Sequence, residues 1–143
     1  MEEKASPTAL ILGWGGVIPF VATALAFHYG PPYLAIAALQ AGTIYGAVII
    51  TFIGAVHWGF AMRHPQGHSF YYIWSVIPSL LMAGALMLAP IFRPALLIMG
   101  LALVWGVDMM ITRAGMLPRW YMKLRHGLTL VAGASLLSFY MGI

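Results

Sequence analysis

The chain has 143 residues, of which 62% are hydrophobic and only 7% charged, with seven Lys and Arg against three Asp and Glu. Soluble domains are about a quarter charged, so this composition excludes a water-soluble fold and describes an integral membrane protein of one domain, with room for four to six spans of about 20 residues. Cysteine is absent, which excludes disulfides, thiol catalysis and iron–sulfur ligation by cysteine, and the +4 charge is read through membrane topology, not as a nucleic-acid surface.

Residues 1 to 7 form a polar tail, with Ser6 as helix cap and Pro7 in the first turn. The apolar run 8–27 is long enough to span. Ala24-Leu25-Ala26 has the small-residue character of a cleavage site, but the MEEK start is more acidic than basic, so the run is read as a retained transmembrane helix. Trp14 lies between Gly13, Gly15 and Gly16, which allows close approach of a neighbour, and Pro19 predicts a kink. The turn His28-Tyr29-Gly30-Pro31-Pro32 leads to a second helix over 33–62. At about 1.5 Å per residue it rises roughly 45 Å, so it tilts or projects beyond the hydrocarbon. After the loop from Arg63 to His68, a third helix spans 69–89, with Tyr71, Tyr72 and Trp74 as an interfacial belt and Pro78 as a second kink. Helix four spans 95–113, and a loop at Gly115-Met116-Leu117-Pro118 precedes helix five, 119–141.

The expected fold is therefore an all-α integral membrane protein, a five-transmembrane-helix bundle. Its orientation follows from the basic residues. Lys4, Arg63, Arg113, Arg119, Lys123 and Arg125 fall on one side and only Arg93 on the other. This predicts a cytoplasmic (or matrix-side) N-terminus and a C-terminus outside.

The bundle is organised around Gly42–Gly59, GTIYGAVIITFIGAVHWG. On a helical wheel at about 100° per residue, Gly42, Gly46, Gly54 and Ala61 fall within about 60° of His57. With Gly59 these glycines make a close-packing face, used within the bundle or for docking a partner. Its end carries His57 and Trp58; Trp58, Trp74 and Trp120 are expected at the membrane interface. His57, Asp108, Arg125 and His126 all lie about 8–10 Å inside the cytoplasmic ends of three different helices. Asp108 is the only acid outside the N-terminal tail. A buried carboxylate costs about 2.5–3.5 kcal/mol at membrane depth and needs a partner; Arg125 is the first choice, Arg113 and Arg119 the alternatives. Three readings of this cluster stay open: a structural Asp–Arg lock with His57 bonded to it, a proton-linked or ligand site, and side chains that snorkel to the interface.

Other chemistry is thin. His64 and His68 are four apart, but Pro65 and Gly67 between them oppose a continuous helix, and a structural zinc site wants four ligands. His57 and His126 remain as an alternative pair of axial haem ligands. Neither paired carboxylates, a nucleophile with its base, HExxH nor a phosphate loop is found, so no enzyme is expected. One acid among five helices, without an inverted repeat, also gives a poor transport pathway.

Phe52-Ile53-Gly54-Ala55-Val56-His57-Trp58-Gly59, the run WGGVIPF from Trp14 to Phe20, and Asp108 with Trp120-Tyr121, Leu124-Arg125 and Leu128-Thr129 carry a resemblance. With these residues the chain resembles the small bacterial and mitochondrial membrane-protein family of unknown function whose human member is transmembrane protein 69. The resemblance covers nearly the whole chain. It implies a multi-spanning inner-membrane protein, bacterial or mitochondrial, and no established reaction, cofactor or substrate. The expected function is that of a non-catalytic accessory or assembly subunit of a larger membrane complex, in contact with lipid and with other subunits or further copies of itself. The alternatives are a small proton-coupled transporter or channel at the His57/Asp108/Arg125 cluster, and a haem or quinone site near His57.

Overall fold

The computed structural model describes residues 3–64 and 69–142. Six α-helices follow one another: α1 Pro7–Gly15, α2 Ile18–Tyr29, α3 Pro32–Arg63, α4 Ser69–Leu86, α5 Arg93–Arg113 and α6 Arg119–Ser138. Short 3-10 turns at Pro90–Phe92 and Phe139–Met141 flank α5 and close α6. Of the loop expected between the second and third helices, Pro65, Gln66, Gly67 and His68 lie outside the described residues, as do Met1 and Glu2 of the tail. Among the described residues four segments are long and apolar enough to cross a membrane: Pro7–Tyr29 taken as one, Pro32–Arg63, Ser69–Leu86 and Pro90–Arg113. The protein is thus helical and membrane-embedded.

The kink expected at Pro19 is a full break. Proline lacks an N–H and its ring collides with the carbonyl four residues earlier, here that of Gly15. The first helix accordingly tightens and stops, with Gly16 N–H donating to Leu12 O and Gly13 O and Val17 N–H to Trp14 O. Pro19 then occupies the opening turn of α2. A carbonyl freed inside a membrane must find another donor, and the Tyr45 hydroxyl on α3 donates to Gly16 O at 2.8 Å. Pro78 has the opposite outcome: α4 runs through it without interruption.

Two other boundaries follow from local chemistry. Ala89 precedes Pro90 and is held extended (φ −56°, ψ 141°), so α4 ends before it. At the end of α5, Gly115 takes the left-handed conformation (φ 78°). Its N–H returns to Thr112 O and that of Met116 to Ile111 O, a Schellman closure that needs a residue without Cβ strain.

The long helix α3 is central and packs on α2, α4 and α5. Its buried stripe includes Leu39, Gly42, Gly46, Ile50, Gly54, His57 and Ala61, steps of three and four along one face. The core around it contains Phe20, Trp74, Met82, Leu97, Leu101, Val104, Leu136 and Phe139. Three of the predicted packing glycines meet neighbours inside the bundle. A Cβ on Gly42 would lie 2.8 Å from Thr23 Oγ1 and 2.9 Å from Phe139, one on Gly46 2.6 Å from Leu97, and one on Gly54 2.8 Å from the Pro78 ring. Gly59 meets nothing within 4 Å. Behind the break, Trp14 of α1 lies against Gly127 of α6, and Leu124 against Gly13.

Candidate functional site

Asp108 sits on the inward face of α5, wholly buried. Its two carboxylate oxygens receive side chains from two other helices. His57 Nε2 on α3 lies 2.7 Å from Oδ1. Arg125 Nε on α6 donates to Oδ2 at 2.8 Å, and the Tyr121 hydroxyl, one turn earlier on the same face, donates to Oδ2 at 3.3 Å. A carboxylate accepts only, so the hydrogen on His57 is at Nε2. The Asp108 and Arg125 charges cancel, while His57 and Tyr121 add hydrogen bonds. The Schellman turn brings this about locally. It folds α6 back on α5, so that a carboxylate and a guanidinium 17 residues apart in sequence meet at one depth.

Of the predicted cluster, His57, Asp108 and Arg125 come together and two residues do not. His126 stands next to Arg125 but about 100° further round the helix. It is exposed, and Trp105 Nε1 donates to its Nδ1 at 3.0 Å. The two histidines weighed as paired ligands therefore do not share a site. Arg113 is exposed at the end of α5 and faces a separate cavity. The predicted aromatic belt also divides. Trp58 is half-exposed and stacks edge-on against Tyr72. Trp120 is half-buried beside Tyr121. Trp74, expected at the interface, is instead a core residue whose ring lies 6.5 Å from that of His57. Its place near a helix end suggested a belt, but its side of α4 faces α3.

The sequence profile of a family described as "Protein of unknown function (DUF3429)" matches residues 5–141. The chain belongs to the DUF3429 family. Transmembrane protein 69 of Xenopus tropicalis is a relative, 36% identical over 142 residues that cover 94% of this chain. The chain spans about half, 54%, of that protein's length. No solved structure gives a significant match.

In this DUF3429 protein the cluster has neighbours that sequence reasoning did not bring in as part of it. Tyr121 is one; its signal was its position four residues before Arg125, on the same helical face. Thr129 follows Arg125 by four residues, on the same side of α6. Among the described residues, His57 Nδ1, Arg125 Nη2, Thr129 Oγ1 and Trp74 Nε1 are buried without a hydrogen-bond partner. Arg125 also lines a crevice of about 120 Å³ at the break between α1 and α2, walled by Gly13, Gly16, Phe20, Phe52 and Leu128 among others. The arrangement has the chemistry of a helix staple: one acid joins three helices through charge-assisted bonds.

Proposed function

We propose that the protein is a non-catalytic accessory or assembly subunit of a larger complex in the bacterial inner membrane (the mitochondrial inner membrane in a eukaryote). The observation that carries this reading is that its buried acid has both oxygens engaged in bonds between helices. Such a cluster holds a bundle together. In the proposed topology α6 is a fifth span. Its Arg125 charge is cancelled inside the bundle, and Arg119 and Lys123 sit at its end, where snorkelling is available. Removing buried Arg125 from the tally leaves Lys4, Arg63, Arg113, Arg119 and Lys123 on one side against Arg93. That asymmetry supports a cytoplasmic N-terminus and an outer C-terminus. Purification of the tagged chain from native membranes in several mild detergents tests the role. A defined co-purifying subunit is expected; recovery only as monomer or homo-oligomer overturns it.

A second reading, a proton-linked carrier or channel, is favoured by the unpartnered Nδ1 of His57 and Nη2 of Arg125, and by the crevice beside Arg125. Proton flux into liposomes is then expected for the wild type and lost in His57→Ala and Asp108→Asn. Absent or unchanged flux removes this reading.

A further inference from the structure

A second cavity, lined by none of the residues of the Asp108 cluster, opens at one end of the bundle. It has a volume of about 780 Å³ and is formed by the N-terminal tail, the start of α1, the end of α5 and the start of α6. Lys4, Arg113, Arg119 and Lys123 line it, against one acid, Glu3. Among the described residues none of these four cations forms an ion pair, since the two ion pairs present both belong to Asp108. Four like charges converging on one hollow repel each other at a cost that an anion would relieve.

Three further features point the same way. The start of α6 opens on this cavity, follows Pro118, and has neither a side-chain cap nor an acid in its first turn. Its free N–H groups and positive dipole end are thus unanswered. The Trp120 indole N–H on the same rim is buried and, among the described residues, without a hydrogen-bond acceptor. Leu10 and Leu117 make part of the wall apolar. Donors of three kinds surround the space, and among its described lining residues Glu3 is the one acid that faces four cations.

The geometry points to this cavity as a binding site for a phosphate-bearing anion, either a lipid phosphodiester headgroup or a free phosphate. Arg113 and Arg119 suit paired contacts to phosphate oxygens. Lys4 and Lys123 add charge, and the α6 N–H groups and Trp120 add hydrogen bonds. The site lies at the basic end of the bundle, where anionic headgroups are met in the bilayer.

Native mass spectrometry of the full chain in detergent tests this with three probes: cardiolipin, phosphatidylcholine and inorganic phosphate. If the source is lipid, cardiolipin is retained in preference to phosphatidylcholine, and millimolar inorganic phosphate does not displace it. If the source is free phosphate, inorganic phosphate binds and competes. In either case Arg119→Gln/Lys123→Gln weakens binding about thirtyfold, roughly five- to sixfold per cation. Trp120→Phe weakens it by a smaller factor, and Arg93→Gln at the opposite end leaves it unchanged. Thermal unfolding of each variant separates loss of the site from loss of the fold. The proposal is overturned if neither anion binds the wild type, if a folded double variant binds as the wild type does, or if Arg93→Gln lowers binding equally.

Discussion

Asp108 bonds to three side chains, so its removal strands an arginine and orphans two further polar groups. Breaking one partner out of a buried pair costs about 3–5 kcal/mol, and Asp108→Ala is expected to destabilise the protein by that order in a detergent unfolding assay. Replacing both charges together, Asp108→Leu with Arg125→Met, is expected to recover most of the loss, since no buried charge remains. Tyr121→Phe removes only a 3.3 Å bond and is expected to cost about 0.5–1.5 kcal/mol. If Asp108→Ala proved neutral, the three-helix junction would not exist. That His57, Asp108 and Arg125 lie level with one another was readable in the sequence, because helical rise is fixed and each could be counted from its own helix end. Their azimuth was harder to read. His126 is at the right depth and faces away, and Trp74 was assigned to the interface from its position near a helix end. Which side of a helix turns inward depends on the neighbours it packs against, and an all-apolar surface hides that choice.

At the scale of the helix, proline and glycine act in pairs. Pro78 stays within α4, and α3 presents Gly54 to its ring. Adding a methyl at Gly54 drives a Cβ against a rigid ring, not against a flexible side-chain tip. Gly54→Ala is therefore expected to destabilise by about 1–3 kcal/mol, an overpacking cost, and Pro78→Ala in the same chain to relieve much of it. Gly59→Ala, with open space around it, is expected to change stability by less than about 0.5 kcal/mol. Thermal unfolding of the wild type, Gly54→Ala, Pro78→Ala and the double variant forms a cycle that measures the contact. The other proline is answered by a hydroxyl: Tyr45→Phe leaves Gly16 O without its donor, and a loss of about 1–3 kcal/mol is expected. Helix positions were legible from apolar runs bounded by Pro and Gly. The break at Gly16 was read only as a bend, because whether a proline bends or severs a helix depends on what receives the freed carbonyls. Tyr45, 29 residues away, carries no local sign of that task.

For the molecule as a whole, the orientation expected from the loop charges can be measured directly, because the chain has no cysteine. Single cysteines placed at Ser6 and at Met141 are expected to differ in sealed cells. An impermeant maleimide should label the second and reach the first only after the membrane is opened. Equal labelling of both would mean an even number of spans. Membrane class, helix order and the central place of α3 followed from composition and from the small-residue stripe Gly42–Gly46–Gly54. The large basic cavity did not, since Lys4 is more than a hundred residues from Arg113, Arg119 and Lys123 and only the closed bundle gathers them.

The charges of α6 have a consequence for how the protein is made. α6 is not among the four described segments long and apolar enough to cross a membrane, and it carries Arg119, Lys123 and Arg125; the proposed topology nonetheless makes it the fifth span. α5 leaves the ribosome first, and the charge of its acid, which costs about 2.5–3.5 kcal/mol within the membrane, is cancelled only when Arg125 arrives. The two helices are thus expected to leave the insertion machinery as one hairpin, each making the other soluble in lipid. In a translocation assay, α6 presented alone should fail to integrate, and α5 followed by α6 should integrate as a pair. Asp108→Asn should impair the pair more than it impairs α5 by itself. A nascent chain halted at Pro118 would hold Asp108 with His57 as partner but without the arginine that cancels its charge.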